Sequence, residues 1–583
     1  MTFIETATQL LEDCSGYRPG DSGYRQRLFP EAAYGAIGEA FNTDQHLRVW
    51  TCLGPGAAAE AGGKPSVGHH AIVSLAATNA WPIITTNFDC LLEAAADARG
   101  VARRVVVPTR VDSAYTLNAG RDEALILKLH GTADDYKSVR ATAADLSRCA
   151  QILERLELRP DPRRVLLVGY SGRDFDLFPW LAGRFDARAV LWIDRDFVDS
   201  HRAFSLGDVQ RWTGRWNQLA TRLLPRHEAD QSGAHEAWDR AARLSVNREL
   251  GPLLRSRRGG AVAAMVGVLV STGSHVDAAR LALEQQNIAD EDARLQTLLW
   301  RAHANASIDR FESALVAATE ARRLAWRSRK PFVAGRAAIA VSYSRVANLW
   351  MSVLPGQQRR GMFRVRSCLA LAGVVWVTAM YAPLGIVAIR NVRRARTWPN
   401  SAHYRMASEY LEHIVRLLSL LEHLRGSTLG TEALDWSWRR LQNTCTSVGY
   451  TAGVANVSKY VSRTTGDFTS SIGAITRAEV TGDLVGQVIA RRDAAAWLLT
   501  HEDPNREDSL QQRRDDAIRL LDRALRLAEE LQCPSLILKV YAIQHETDGR
   551  RFPPLKLRSI INRAESAALR RDADRIVATL RTR

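Results

Sequence analysis

The sequence predicts an α/β domain built on a parallel, Rossmann-like sheet, followed by an all-α domain of stacked helices. From the N-terminus to about Arg226, short apolar runs alternate with stretches long enough for a helix, a rhythm typical of a doubly wound sheet. After a polar segment, long amphipathic stretches rich in Ala, Leu and Arg replace that rhythm. A chain of 583 residues also exceeds what one hydrophobic core usually supports. We therefore expect two domains.

Five apolar runs are the predicted strands of the first domain. In chain order they are "WPIITTN", "RRVVVPT", "ALILKLH", "RRVLLVGY" and "RAVLWID". Open sheets of this kind bind ligands beyond the carboxyl ends of their strands. We therefore expect polar residues that follow these runs to lie along one edge of the sheet.

The segment "PRHEADQSGAH", residues 225–235, is polar and contains a proline, as linkers do. It gives predicted bounds of 1–225 for the α/β domain, 226–240 for the linker and 241–583 for the helical domain. Stretches such as "FESALVAATEARRLAWRSR" and "RDDAIRLLDRALRLAEELQCPSLILKVYAIQ" have apolar residues at helical spacing. They resemble tetratricopeptide-type helix pairs without the full repeat signature. The prediction is a tetratricopeptide-like helical solenoid.

One segment of the helical domain carries no charge. Residues 368–389, "CLALAGVVWVTAMYAPLGIVAI", are long enough to span a bilayer. Alternatively, Ala-Pro-Leu-Gly at 382–385 forms a turn between two short buried helices. We favour burial in the core of the solenoid, and a membrane contact through 368–389 stays open.

Charge and cysteine content narrow the classes of partner and the compartment. The formal net charge of +16 favours acidic partners, but only seven of the 79 basic residues are Lys, and an Arg and Ala excess equally reflects biased codon usage. We therefore do not expect nucleic acid as a partner. The seven cysteines form no C-x-x-C pair, and the first residues lack the features of a secretory signal. A reducing cytoplasm is the predicted compartment.

Three of the predicted strands end in polar residues that a plain core does not need. They occur in "ITTNFD", "LKLHGT" and "LLVGYSGRD". The residues are Asn87, Asp89, His130, Gly169, Ser171 and Asp174. Each has an ordinary structural explanation: the Asx residues cap the helix that begins near Leu91, His130 occupies a turn before Gly131, and Asp174 caps the helix after the fourth strand.

Taken together, these stretches resemble the sirtuin-like, NAD-consuming fold. "TTNFD" resembles the T-Q-N-x-D step of that family, "LKLHG" its histidine-glycine motif and "VGYSGRD" its Gly-x-Ser turn. Upstream, "KPSVGHHAIVSLA" is similar to the P-x-x-x-H-x-x-L-A helix. The resemblance covers roughly Leu28 to Asp194. It is closer to the prokaryotic branch that joins this domain to helical or repeat regions and hydrolyses NAD in antiphage defence than to the deacetylases.

The resemblance implies NAD as the substrate, cleaved to nicotinamide and ADP-ribose without a metal. It assigns His130 the role of catalytic base, and it assigns Asn87 the positioning of the nicotinamide ribose and the attacking water. Asp89 would face the nicotinamide carboxamide, while Gly169 and Ser171 would line the adenosine side. The full set of nucleotide-binding residues that it implies is Thr86, Asp89, Gly169, Ser171 and Asp194.

Departures from the family pattern keep a second hypothesis open. The family's Gly-rich phosphate loop is absent from the first 29 residues, and "LGPGAAAEAGG" at 53–63 follows no convincing strand. Either the loop precedes Met1, or the first βα unit is lost. In the second case the domain is catalytically weak or inactive and sits on a helical scaffold that binds proteins.

The cysteine and histidine spacing bears on deacetylation and metal binding, and the helical domain bears on protein partners. No paired cysteines follow His130, so the zinc module of deacetylase sirtuins is missing and we do not expect deacetylation. The His69-His70 pair lacks a third ligand at metal spacing. For the helical domain, the resemblance implies a phage or host protein as the trigger. Self-association into a homo-oligomer is an open partner prediction.

Overall fold

The computed structural model of the chain is described in two blocks, the first ending at residue 223 and the second beginning at residue 234. The described residues are 2–18, 24–28, 35–37, 40–41, 64–108, 110, 113–135, 138–139, 149, 151–159, 164–170, 177–195, 197, 208–223, 234–351, 361–394, 406–408, 410–411, 414–415, 418, 431–448, 457, 472–475, 478–479, 484–500 and 510–548.

The first block alternates strands and helices after an N-terminal helix. Its helices are α1 (Thr2–Ser15), α2 (Val67–Asn79), α3 (Leu91–Ala98), α4 (Leu177–Arg184) and α5 (Trp216–Leu223), with 3₁₀ turns at Tyr24–Arg27 and Ala187–Ala189. Its strands are β1 (Ile83–Thr85), β2 (Ala102–Val106), β3 (Tyr115–Asn118), β4 (Glu123–Lys128), β5 (Leu156–Arg159), β6 (Val165–Val168), β7 (Val190–Asp194) and β8 (Gln210–Thr213).

Every pairing between these strands is parallel. The described strands form three small sheets, with the orders β1-β4-β2, β3-β5 and β6-β7-β8. All five predicted strands are confirmed as strands, at β1, β2, β4, β6 and β7. The expectation that they lie in one sheet is wrong for the described residues, because no hydrogen-bonded ladder joins β6 and β7 to the β1-β4-β2 sheet.

Helix α2 is positioned by contacts on two sides. It follows Pro65, as predicted, and Val73 packs with Ala95 and Ala96 of α3 and Ala124 of β4. Its first turn packs on α5, where the Trp216 indole N–H donates to the Gly68 carbonyl at 2.9 Å. Gly68 has to be glycine, because a Cβ there would lie 2.6 Å from the Trp216 ring. The β4 strand is therefore buried beneath a helical layer.

The second block is helical throughout the described residues. Its helices are α6 (Ala234–Ser256), α7 (Arg258–Ser271), α8 (His275–Glu284), α9 (Glu291–Ser307), α10 (Phe311–Arg327), α11 (Pro331–Met351), α12 (Gly361–Arg394), α13 (Thr431–Val448), α14 (Leu484–Thr500), α15 (Leu510–Glu530) and α16 (Pro534–Asp548). Successive helices pack on one another from α8 to α12 and from α14 to α16. Small residues such as Ala321, Ala325 and Ala334 lie at these crossings, because they let helix backbones approach closely. The predicted helical character of this region is confirmed.

Helix α12 contains the uncharged segment 368–389 and continues through it without a break. The predicted turn at 382–385 is wrong. Pro383 lies inside the helix, and Gly385 is needed because a Cβ there would lie 2.4 Å from the Tyr410 ring. Within the segment Ala388 is buried, whereas Trp376 is 70% exposed, so the segment is only partly core. Among the described helices, none combines the length and the apolar character needed to cross a bilayer.

The chain divides into two compact units, and the division falls within α7, between Ala264 and Met265. One unit contains α1, all the strands and α6. Helix α6 begins at Ala234, inside the predicted linker of 226–240, while 226–233 lie outside the described residues. The domain bounds of 1–225 and 241–583 stay a prediction.

Candidate functional site

The carboxyl ends of β1 and β4 form the first edge of the candidate site. The two strands are parallel neighbours, and Thr85 pairs with Lys128. Asn87 and His130 each lie two residues beyond that pair. The strand hydrogen bonds continue past it, from the Leu129 N–H to the Thr85 carbonyl at 3.0 Å. The structure therefore brings the asparagine and the histidine to neighbouring chain positions at the same edge.

The turn between β1 and α3 is held by side chains of its own sequence. The Thr85 hydroxyl accepts from the Asn87 N–H at 3.1 Å, and the Asp89 carboxylate accepts from the Leu91 N–H at 3.0 Å. Asp89 thus accepts from the first N–H of α3, as the capping interpretation expects, although the N-cap position itself is occupied by Cys90. Thr86 is half-buried, and Asn87 is exposed beyond the end of the strand.

The turn after β4 has a rigid frame. His130 is only 5% exposed, and its ring centroid lies 6.4 Å from that of Phe88. Gly131 has a φ of 92°, and a Cβ there would lie 2.2 Å from the Ser138 carbonyl oxygen. The Ser138 hydroxyl accepts from the Thr132 N–H at 2.9 Å. This histidine is therefore seated in a turn that only glycine can follow.

The two turns are also bonded to each other. The Ala133 N–H donates to the Phe88 carbonyl at 2.8 Å. The Cys90 thiol donates to the Asp134 carboxylate at 3.2 Å and lies 3.5 Å from the Thr132 hydroxyl. The backbone bond joins the Asn87 side of the edge to the His130 side, and the Cys90 contacts lie beside it.

Beneath this edge lies an ion pair that sequence reasoning missed. Lys128, the last residue of β4, is fully buried, and its ammonium lies 2.8 Å from the Glu93 carboxylate of α3. A lysine inside an apolar strand and a glutamate on an amphipathic helix each look like surface residues. Only their charge pairing across 35 residues could have signalled the contact.

Burial raises the pKa of the Cys90 thiol to about 11. The hydrogen bond with Thr132 and the charge of Lys128 oppose that rise without cancelling it. A thiol with this pKa is protonated at neutral pH and is a poor nucleophile. Covalent chemistry through Cys90 is therefore disfavoured.

The carboxyl ends of β6 and β7 form a second edge. The Gly169 N–H continues the ladder by donating to the Ile193 carbonyl at 3.0 Å, which places Gly169 beside the end of β7 and Asp194. Gly169 has a φ of 60°, and no described atom lies within 4 Å of a Cβ built on it. Tyr170 stacks on Trp192 at 5.6 Å, and its carbonyl accepts from the indole N–H at 2.7 Å.

The structure thus groups the predicted residues into two sets. Asn87, Asp89 and His130 share the first edge, with Thr86 beside them, while Gly169 and Asp194 share the second. The expected single edge is not formed by the described ladders, because β6 pairs with β7 and not with a strand of the first sheet. Ser171 and Asp174 lie outside the described residues, as does the glycine-rich stretch at 53–63.

The histidine pair in α2 has a structural role at His69. Its Nδ1 accepts from the Ser66 N–H at 3.1 Å and completes the cap at the start of the helix. In the described part of the chain, no three His, Cys, Asp or Glu side chains are grouped as metal ligands would be.

The two strand edges lie in a part of the chain that matches a known domain family. No curated protein matches the chain. A family model described as "SIR2-like domain" matches residues 82–196, the span that contains both strand edges. Residues 82–196 are therefore similar to SIR2-like domains, a family that includes NAD-utilising enzymes.

Proposed function

We propose that this chain is an NAD hydrolase that cleaves NAD to nicotinamide and ADP-ribose. The observation that carries the proposal is the joining of Asn87 and His130 at the carboxyl edge of two paired parallel strands, inside the SIR2-like match. Ligands of open α/β sheets bind beyond this kind of edge. An amide and an imidazole there can orient a hydroxyl group and accept a proton.

Each residue at the first edge has a role in the proposed reaction. The nicotinamide–ribose bond breaks as positive charge builds on the sugar, and a water oxygen forms the new bond to the sugar carbon. His130 accepts the proton that this water loses, and Asn87 holds the water and the ribose without adding charge. Asp89 faces the carboxamide of nicotinamide, which leaves as a neutral molecule. Thr86 lines the same edge.

The second edge suits the adenosine side of the nucleotide. The open space beside Gly169 admits a ligand close to the backbone, since glycine has no Cβ and adopts positive φ without strain. Asp194 lies at the end of the neighbouring strand and offers carboxylate oxygens to an adenosine hydroxyl. Ser171 follows Gly169 in sequence and is proposed for the same side.

The helical unit supplies control in this proposal. The protein acts in antiphage defence, and a phage or host protein that binds the helices releases the activity. Support comes from the combination of a SIR2-like match over 82–196 with a helical region that continues to Asp548 in the described residues.

Nicotinamide release by the 583-residue chain tests the proposal. We expect Asn87→Ala and His130→Ala each to lower the turnover number by roughly 100- to 10,000-fold, the usual contribution of a positioned acid–base group. Asn79→Ala and His275→Ala are matched controls. The Asn79 side chain donates to the Leu75 carbonyl in the last turn of α2, and His275 lies in α8 with 6% exposure, close to the 5% of His130. Equal release from wild type and both edge variants would defeat the mechanism.

The second candidate is a partner-binding scaffold with a weak or inactive nucleotide site. It is favoured by the described helices of the second block, which pack in succession from α8 to α12 and from α14 to α16, since arrays of stacked helices present extended surfaces to protein partners. Calorimetry separates the two candidates. The His130→Ala protein is used because we expect it to bind NAD without cleaving it. Binding heat on addition of NAD supports the hydrolase, and the absence of binding heat from a folded sample supports the scaffold.

A further inference from the structure

The ammonium of Lys128 has a complete set of partners at the first edge. It lies 3.2 Å from the Phe88 carbonyl, 2.5 Å from the Asp89 carbonyl and 2.8 Å from a Glu93 carboxylate oxygen. An ammonium has three N–H donors and no acceptor. Three oxygen acceptors thus face three donors, with the Cys90 Sγ as a further neighbour at 3.8 Å, and two of the three oxygens belong to the turn that carries Asn87.

The burial of this group requires an explanation beyond ordinary stability. Lys128 is 0% exposed, and the Glu93 side chain is 8% exposed. Removing two charges from water is costly, and well-packed apolar residues often replace a buried pair without loss of stability. What apolar residues cannot replace is the hydrogen bonding to the two turn carbonyls. The pair is therefore better explained by the geometry that it imposes on this turn.

That geometry connects both halves of the candidate site. The ammonium holds the carbonyls of Phe88 and Asp89, the two residues that follow Asn87. Its own chain carries His130 two residues later. The Asp89 side chain is engaged with α3, on which Glu93 lies, through the Leu91 N–H. One buried cation thus connects the asparagine turn, the histidine strand and the helix behind them.

We infer that Lys128, supported by Glu93, is a positioning residue that sets the placement of Asn87 relative to His130. Its consequence for turnover rests on the proposed NAD hydrolysis. Lys128 does not act as a nucleophile here, because all three of its donors are engaged below the edge. Its effect is confined to the nicotinamide side, since Gly169 and Asp194 lie on the other sheet.

Steady-state kinetics and ADP-ribose binding test this role with Lys128→Met, Glu93→Gln and the double variant Lys128→Met/Glu93→Leu. We expect the double variant to regain the thermal stability that Lys128→Met loses, because it leaves no unpaired buried charge. Its turnover number should stay about 100-fold below wild type, the effect of a displacement of about 1 Å at a reacting centre. The dissociation constant for ADP-ribose should change less than about threefold, because the adenosine edge is intact. Glu93→Gln keeps the ammonium on the carbonyls and should lose less turnover.

Arg491→Met is the matched control. Arg491 is 1% exposed and paired with Glu479 in the helical unit. Breaking this pair should lower thermal stability and leave the turnover number unchanged. A similar loss of turnover in Arg491→Met and Lys128→Met would mean that general destabilisation explains both, and it would overturn the inference.

Backbone hydrogen exchange separates the failure of this inference from the failure of the proposed function. The amides of Asn87 and Leu91 are bonded within the turn. We expect them to exchange faster in the folded double variant than in wild type, and the amides of α15 to be unchanged. If the wild-type protein releases no nicotinamide, the proposed function fails, and the hydrogen-exchange rates alone decide the role of Lys128. Turn amides that exchange in the folded double variant as slowly as in wild type would overturn that positioning role.

Discussion

Cys90 lies next to Asp89 at the first edge, but its surroundings keep its thiol protonated and therefore poorly nucleophilic. Burial raises the pKa of its thiol to about 11, against the opposing effects of the Thr132 hydroxyl and the Lys128 charge. Thiolates, and not thiols, attack electrophiles. The residue therefore contributes packing and a hydrogen bond to Asp134 instead of a nucleophile.

Labelling with iodoacetamide across a pH series should show this directly. Because the thiol is protonated up to about pH 11, the labelling rate of the Cys90 peptide should keep rising above pH 9. An unperturbed cysteine, with a pKa of about 8.5, would already level off there. Mass spectrometry of the peptide gives the rate, and free cysteine is the reference. Cys90→Ala should keep nicotinamide release within about threefold of wild type. A labelling rate that is half-maximal near pH 8.5, or a loss of release like that of Asn87→Ala, would contradict this account.

The edge residues differ in how far the sequence alone could identify them. Asn87 and His130 follow apolar runs, and polar residues at strand ends are visible in one dimension. Lys128 precedes His130 by two residues and lies in an apolar run that predicts a strand. Its role depends on Glu93 and on two backbone carbonyls from another element, and no local pattern records such a contact.

At the scale of elements, a buried carboxylate connects two turns of the helical unit. Asp309 follows α9, is 8% exposed and has a positive φ of 63°. Its carboxylate accepts from the backbone N–H and the hydroxyl of Ser535, at 2.9 and 3.1 Å. Ser535 is the second residue of α16, after Pro534 at the first helical position. Asp309 thus caps a helix that lies 226 residues away in sequence.

The stability of this cap should depend on pH. Burial raises the pKa of Asp309 above its usual value, although the bonds from Ser535 and the Cys533 thiol lower it in part. A carboxyl group with a raised pKa in the folded state contributes stability that is complete below its unfolded pKa and is lost as pH rises through the folded pKa. The thermal midpoint of the wild-type protein should therefore rise relative to that of Asp309→Asn as the pH falls from 7. The measured quantity is the difference between the two midpoints. Asparagine is the suitable comparison, because it tolerates positive φ and does not titrate.

Two further variants isolate the cap itself. Asp309→Ala leaves the Ser535 N–H without its acceptor and should cost about 1–3 kcal/mol at pH 7. Ser535→Ala keeps that backbone bond and should cost less. A pH-independent difference between wild type and Asp309→Asn would show that the carboxylate is not held in a raised-pKa environment.

The secondary structure was predictable to the extent that its pattern is local. The five apolar runs became strands, and the helix after Pro65 and the amphipathic stretches became helices. β3, β5 and β8 were missed because their sequences, "YTLN", "LELR" and "QRWT", are short and mix polar with apolar residues. The division of the described strands into three sheets was also missed, since strand pairing joins residues that are distant in sequence. The continuous α12 contradicts the predicted turn at 382–385, since Pro383 lies inside the helix and Gly385 lets the Tyr410 ring pack close to the backbone.

For the whole molecule, each of the two compact units contains buried apolar clusters. Val73, Ala95, Ala96 and Ala124 form a core cluster around β4. In the helical unit, Val488, Leu521 and Leu531 belong to a larger cluster between α14, α15 and α16. The members of each cluster belong to one unit. Ligand binding stabilises the folded state of the unit that holds the site.

Differential scanning calorimetry with His130→Ala protein tests where NAD binds. At a free NAD concentration of 100 times the dissociation constant, binding stabilises the folded site by about 2.7 kcal/mol. We expect the transition of the strand-containing unit to move upward and that of the helical unit to stay. Hydrogen exchange in β4 and α15 peptides assigns the transitions. If NAD raises only the transition assigned to α15, the nucleotide binds in the helical unit. If NAD raises neither transition, the scaffold is favoured.

Two glycines make this test specific to the second edge. Gly169 and Gly100 both have positive φ, 60° and 64°, and neither has a described atom within 4 Å of a built Cβ. Alanine at either position imposes a similar backbone strain, of about 1–2 kcal/mol. Only the Cβ at Gly169 enters the space proposed for the nucleotide, because Gly100 lies in the turn between α3 and β2. Gly169→Ala should therefore lose the NAD-dependent shift, while Gly100→Ala keeps it at a lower starting midpoint. Equal shifts in the two variants would exclude close approach of the nucleotide to Gly169.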